Sequence, residues 1–250
     1  TESAANALLK AIEEPGLRTV WLLCAPTLHD ILPTIRSRCR HIQLHTPSNN
    51  DVAKFLIEKH HISPKMADFA ARVSQGHIGR ARHLATNEDV RNRRNAILSI
   101  PSQLNSVSAA YAAAAKLVEL ANAESDAISE ALDEKEYEEL STALGKGNNK
   151  ALKELEKEQK SRATRITRDT LDGALLDLAT FYRDVILVQA GHDDSLINAE
   201  LSEQINKMAA NTQSQRTLAK MDAIMKARES LQRNGAPLLV MEALMCELIK

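Results

Sequence analysis

Aromatic residues are scarce: the chain has seven Phe, Trp and Tyr in 250 residues. A protein so poor in rings cannot lay down a base-stacking track for single-stranded nucleic acid. Net charge is scarce as well. Thirty-two Lys and Arg stand against 33 Asp and Glu, a formal charge of −1. Bulk attraction to DNA or to an anionic membrane therefore does not organise the chain. No apolar run is long enough to suggest a membrane-spanning helix. The three cysteines, Cys24, Cys39 and Cys246, lie far apart, and two sit in apolar stretches. They read as reduced packing residues of a cytosolic protein. No Gly-x-Ser-x-Gly nucleophile motif occurs. His60-His61, His29, His41 and His45 have no cysteine or acid at a metal-ligand spacing, so no metal site is expected. Gly145-Lys146-Gly147 lacks the preceding strand and the spacing of a phosphate loop.

What the chain has in abundance is Ala, Leu, Glu and Lys, the composition of helices. Ala5, Leu8, Leu9 and Ile12 fall at helical spacing, and Pro15-Gly16 stops that helix. The apolar run of residues 19–25 has the length of a strand buried on both faces. Residues 41–45 alternate, with Ile42 and Leu44 inward, which suits a second strand. Two strands and one helix cannot bury a sheet alone, which suggests that partner strands have been lost from this chain.

Residues 46–50 are a linker, and Ser48 or Asn49 is a suitable helix cap. Three short helices follow. The first carries Val52, Phe55 and Leu56. The second starts at Ser63-Pro64, carries Met66, Phe69, Ala70 and Val73, and closes at Gly76. The third begins near Gly79. Beyond residue 90 long helices take over, with an expected break at Pro101 and a weak point near Asn122. Residues 124–139 are strongly acidic and residues 150–168 mainly basic, with a turn at Gly145–Asn149 between them. That pattern predicts an antiparallel helical hairpin with opposite charges facing. The basic arm, and the cluster Arg80, Arg82, Arg91, Arg93 and Arg94, read either as solvated helix faces or as phosphate contacts. Leu171, Leu175, Leu178, Phe181, Tyr182, Val185 and Ile186 form a strong apolar stripe ending at Gly191. Asn198 is placed to cap a short helix, and two more helices run to the end.

Between the two expected strands lies Thr34-Ile35-Arg36-Ser37-Arg38-Cys39-Arg40. Helix, apolar run, Leu-Pro-Thr-Ile turn and Ser-Arg-Cys in this order resemble the end of the nucleotide-binding core in the clamp-loader branch of the AAA+ ATPases, and among these the delta-prime subunits of bacterial DNA polymerase III. The helical stretches 170–191 and 219–248 resemble the collar of the actinobacterial members. The resemblance implies a mainly α chain in three parts. Residues 1–47 would be the C-terminal part of an α/β core with two remnant strands. Residues 48–88 would be a three-helix lid, and residues 89–250 an all-helical collar that joins subunits in a ring. It also implies that the chain is N-terminally truncated, because the Walker A loop, the zinc-binding cysteine module and the Walker B acids are not in it.

The resemblance assigns roles to particular residues. Arg38 would be an arginine finger acting in trans, with Ser37 and Cys39 supporting it and Arg36 and Arg40 at the surface. A guanidinium suits this task because it is always charged and forks onto two phosphate oxygens as charge develops in the transition state. Cys24-Ala25-Pro26 stands where hydrolysing relatives carry a polar sensor of the γ-phosphate. Gly79 stands where they carry a second-sensor arginine, and Arg80 comes one residue late, turned about 100° on a helix. Both departures point to a subunit that does not turn over ATP itself. ATP and Mg would sit at the neighbouring subunit's site, with none bound by this chain. The implied partners are tau/gamma and delta subunits in a hetero-pentameric ring, a sliding clamp, and primed DNA through the assembly. Two rivals stay open: an ATP-hydrolysing tau/gamma-type subunit, and a helical scaffold unrelated to ATP.

Overall fold

The computed structural model describes residues 2–16, 18–25, 27–144 and 149–249. These fall into two compact units, Thr1–Pro47 and Ser48–Lys250.

The first unit holds helix α1 (Glu2–Glu13), a single 3-10 turn (Leu28–Asp30) and the one-turn helix α2 (Pro33–Arg36). Pro33 occupies the first helical position, where its missing N–H is harmless. The two expected strands do not form, and no strand occurs among the described residues. Val20 is 83% exposed and Leu44 88% exposed, the opposite of a doubly covered strand. The reason is that a strand is stable only against a partner that takes up its backbone N–H and C=O groups. Among the described residues the two runs do not pair with each other and have no third strand beside them. The indole of Trp21 instead donates to the Ala11 carbonyl at 3.0 Å, tying the run to α1.

The second unit is all helix. Helices α3 (Asn49–His60), α4 (Pro64–Ser74) and α5 (Ile78–Thr86) enclose one small core. Val52, Leu56, Ala67, Ala70, Val73, Ala81 and Leu84 are its buried side chains. Ser48 caps α3: its hydroxyl accepts from the Asp51 N–H at 3.2 Å, and the Asp51 carboxylate accepts from the Ser48 N–H in return. Helix α4 ends where Gln75 and Gly76 both take positive φ, 51° and 86°. At Gly76 the absent Cβ makes that left-handed turn cheap.

Helix α6 (Glu88–Gln103) leads into the long pair α7 (Val107–Leu144) and α8 (Asn149–Gln189). A 3-10 turn (Ala199–Leu201), α9 (Ser202–Asn211), α10 (Ser214–Gln232) and α11 (Pro237–Ile249) complete the unit. A larger core joins α6 to α11 around Leu98, Leu117, Leu175, Phe181, Tyr182 and Met245. Pro101 does not break α6, which runs two residues past it. A proline in the last turn removes only one late hydrogen bond. Helix α7 passes Asn122 without interruption, and the Asn122 amide oxygen accepts from the Thr167 hydroxyl of α8 at 3.3 Å. Gly145–Asn148 of the expected hairpin turn lie outside the described residues.

No cysteine among the three is in a disulfide. Cys246 packs at the edge of the large core, but Cys24 is exposed rather than a packing residue, for the same reason that its strand is absent.

Candidate functional site

Ser37, Arg38 and Cys39 follow α2 directly. The Thr34 carbonyl, left open at the end of so short a helix, accepts from the Ser37 hydroxyl at 3.0 Å and from Arg38 Nη1 at 2.8 Å. Arg38 Nη1 also lies 3.3 Å from the Ser37 oxygen. On its other edge Arg38 Nε donates to Glu13 Oε1, at the end of α1, at 2.5 Å. Backbone, hydroxyl and carboxylate together fix a guanidinium that is 40% exposed. Its Nη2 has no protein acceptor among the described residues. A charged, forked donor held in one orientation with an unused N–H edge is what recognition of an oxyanion requires. Ile35 beneath it is buried and anchors the turn. Arg36 and Arg40 are exposed and Cys39 half-buried. Of the expected γ-phosphate sensor position, Cys24 and Ala25 are exposed; Pro26 lies outside the described residues.

In the second unit, Arg80 sits in the first turn of α5, where its backbone N–H donates to the His77 ring at 3.1 Å. Its guanidinium reaches Asp177 of α8 at 2.5 Å. Asp177 is shared. Arg94 of α6, only 2% exposed, donates through Nε to the same carboxylate oxygen at 3.0 Å. Arg94 also donates to Glu200 at 3.2 Å and to the Asn198 amide oxygen, and its guanidinium lies 5.9 Å from the Phe69 ring centre of α4. Glu200 in turn accepts from Arg72 of α4 at 2.8 Å. Asn198 does not cap a helix with its side chain. It is fully buried and donates to Asp184 of α8 at 2.8 Å, while its N–H donates to the same carboxylate at 2.7 Å. Satisfying Asp184 this way outweighs capping, because an unpaired carboxylate at 0% exposure would be far costlier.

The arginine-rich segment is therefore largely spoken for. Arg80 and Arg94 hold Asp177, Arg93 is ion-paired with Glu124, and Arg91 donates to the carbonyls of Leu84, Ala85 and Asn87. Arg82 is exposed. Sequence reasoning named these arginines but missed their partners. The signal was present: Asp177, Thr180 and Asp184 fall at i, i+3 and i+7 within an otherwise apolar helix, and so share one face. A polar stripe inside an apolar one marks a buried network.

The ends of this chain match two known families. Residues 1–48 match the family described as DNA polymerase III, delta subunit, and residues 134–248 match DNA polymerase III, delta subunit, C terminal. Both ends of the chain are thus similar to delta subunits of DNA polymerase III. Curated relatives sharpen this. It is 25% identical over 234 residues to the DNA polymerase III subunit delta' of Bacillus subtilis, an alignment covering 94% of this chain and 58% of that protein. It is 44% identical over 59 residues to the delta' subunit of Haemophilus influenzae and 37% identical over 81 residues to that of Escherichia coli. Those alignments cover 24% and 32% of this chain and 18% and 24% of the relatives. The chain is thus similar to the delta-prime subunits of DNA polymerase III, and it spans little more than half the length of the Bacillus subtilis relative.

Proposed function

We propose that this chain is the part of a clamp-loader subunit that completes, with Arg38, the ATP site of an adjacent tau/gamma-type subunit. The observation that carries the reading is the fixed, half-exposed guanidinium of Arg38, held by Glu13 and the Thr34 carbonyl with one N–H edge unused. A pre-placed guanidinium lowers the barrier to phosphoryl transfer by meeting charge as it develops, and it avoids the cost of ordering a long side chain at that moment. ATP and Mg belong to the neighbour's site. In this reading the subunit is a stator. The helical unit fixes its place in a hetero-pentameric ring with tau/gamma and delta, and the ring uses ATP to open a sliding clamp and close it on primed DNA. Three parts share the work: 1–47 from the nucleotide-binding core, 48–88 as a lid, and 89–250 as a collar.

A second reading, an ATP-hydrolysing tau/gamma-type subunit, draws on a match of 43% identity over 51 residues to the DNA polymerase III subunit gamma of a Buchnera aphidicola strain. Alanine at position 25 and the engagement of Arg80 with Asp177 weigh against it, since neither leaves a side chain to sense the γ-phosphate. The deciding experiment compares ATP turnover of the reconstituted assembly with the wild-type subunit and with Arg38→Ala. A large drop with the complex intact supports the trans-acting arginine. Unchanged turnover in an intact complex leaves a scaffold, and failure to assemble removes the clamp-loader reading altogether.

A further inference from the structure

Helix α1 ends on an acid. Pro15 disfavours helical geometry in the residue before it, and the helix stops at Glu13. A carboxylate in the last turn opposes the helix dipole, whose C-terminal end is negative. Helix stability therefore does not account for Glu13. The guanidinium beside it does: Glu13 Oε1 accepts from Arg38 Nε at 2.5 Å, across 25 residues of sequence.

The other contacts of Arg38 are local. The Thr34 carbonyl and the Ser37 hydroxyl come four residues and one residue before it. They belong to its own turn and move with it. They set where Nη1 sits on that turn, but not where the turn points. Among the described residues Glu13 is the one side chain that refers the guanidinium to another element. Helix α1 is itself tied down. Its Ala11 carbonyl, open at the helix end, accepts from the Trp21 indole at 3.0 Å. Ile12 of α1 and Ile35 of α2 are both buried, and the two helices touch.

On the reading of Arg38 as a finger in trans, we propose that Glu13 is its positioning residue and α1 the frame against which it is aimed. Glu13 touches no reacting atom. It acts through Arg38, by removing orientations of the guanidinium that miss the γ-phosphoryl oxygens of the neighbour's ATP. A charge-assisted bond suits the task, being about twice as strong as a neutral one. The benefit belongs to the transition state, so it is felt in kcat and not in KM for ATP. Its size lies between two limits. An exposed ion pair orders its partners by about fivefold at most, and a misplacement of about 1 Å at a reacting centre costs about 100-fold. The carboxylate also offsets part of the positive charge offered to the phosphate. Removing it therefore slows turnover if aim decides and speeds it if charge decides.

The test is ATP turnover of the reconstituted assembly carrying the full-length subunit as wild type, E13A, E13Q, R38A or E13A/R38A. E13A should lower kcat by about tenfold with KM unchanged. E13Q keeps an acceptor oxygen of the same reach and should fall between E13A and wild type. E13A/R38A should be no slower than R38A, because the two residues act as one unit. Trp21, the one tryptophan of the chain, bonds two residues from Glu13, so its fluorescence checks that the end of α1 is intact in each variant. Wild-type turnover by E13A beside a slow R38A overturns the role of Glu13 and leaves the finger standing. Faster turnover by E13A overturns it as well, since the carboxylate then only masks charge. So does further slowing of R38A by E13A, which gives Glu13 a task apart from Arg38. Wild-type turnover by R38A removes the finger, and the role of Glu13 with it.

Discussion

Removing the Asp177 carboxylate should be among the most damaging single polar changes in this molecule. Asp177 is 7% exposed and sits under two guanidiniums, those of Arg80 at 2.5 Å and Arg94 at 3.0 Å. Asp177→Ala leaves Arg94, at 2% exposure, with only the partly exposed Glu200 as a counter-charge. Breaking a buried pair in this way costs about 3–5 kcal/mol. Arg94 keeps Glu200 and Asn198, which puts the expected loss near the lower end, about 3 kcal/mol. Arg80 is different: it is 26% exposed, and its removal leaves Asp177 still paired. Arg80→Ala should cost about 1 kcal/mol or less. Because Arg94 and Asp177 share one interaction, Arg94→Ala/Asp177→Ala should cost less than the sum of the singles, with a coupling of about 2 kcal/mol. Replacing the pair with Arg94→Met/Asp177→Leu should recover much of the loss, since a buried ion pair and an apolar pair of similar size are close in free energy. Urea denaturation followed by circular dichroism measures all of these at pH 7. An Asp177→Ala change below about 0.5 kcal/mol, or one no larger than that of Arg80→Ala, would refute the idea that Arg94 depends on this carboxylate.

Other expectations are more local. Arg38→Ala should leave assembly intact and slow ATP turnover at the one site it completes by about 10³-fold, the scale of a finger in trans; single-turnover measurement reads it, and a Lys at 38 should rescue poorly because it lacks the fork. Two carboxyls give an acid limb to stability. The Ser48 hydroxyl and N–H hold Asp51 below its ordinary 3.8, and the bond from Arg162, followed by its charge, holds Glu136 below 4.5. Folded values below unfolded ones mean that this stabilisation is complete above those ordinary values and is lost as the pH falls from there through the lower folded ones. Ser48→Ala should flatten the first limb and Arg162→Met the second in a pH series of thermal melts. Gly235→Ala should destabilise the turn between α10 and α11 by about 1–3 kcal/mol, because the added Cβ would lie 2.8 Å from the Ser230 carbonyl oxygen and 2.9 Å from Val240; an unchanged melting temperature would contradict this.

The helical character of the chain was legible because local signals agree with the packing. Ser48 caps, Pro33 and Pro64 start helices, and the stripe from Leu171 to Val185 faces a core. The opposed charge of the hairpin arms was legible too, and Arg162 meets Asp133 and Glu136 as that pattern suggests. The strands at 19–25 and 41–45 were misread because apolar content says that a segment can be buried, not that a partner is there to bury it. Asn198 was misread because capping preference is a local property worth about 1 kcal/mol, and a buried carboxylate 14 residues away made a stronger claim on its side chain. The ion pairs of Arg80 and Arg94 span 97 and 83 residues of sequence, and no pattern within one helix specifies a partner at that distance.

The outer length of α7 and α8 departs from the rest of the helical unit in what holds it. Among the described residues, buried apolar side chains on α7 end at Ala121, and on α8 they resume only at Leu171. Between these limits the pair is cross-linked by polar bonds: Ser125 to the Ala163 carbonyl at 3.0 Å, Gln159 to the Asp133 carbonyl at 3.1 Å, and the Arg162 fork. Each such bond exchanges one partner for water at little net cost, so the two arms can part locally without disturbing the core below. Amide protons should therefore exchange in a gradient along these helices, slowest around Leu117 and Leu175 and fastest toward residues 140 and 153. A uniform rate along the pair would mean that the arms open only when the whole unit unfolds.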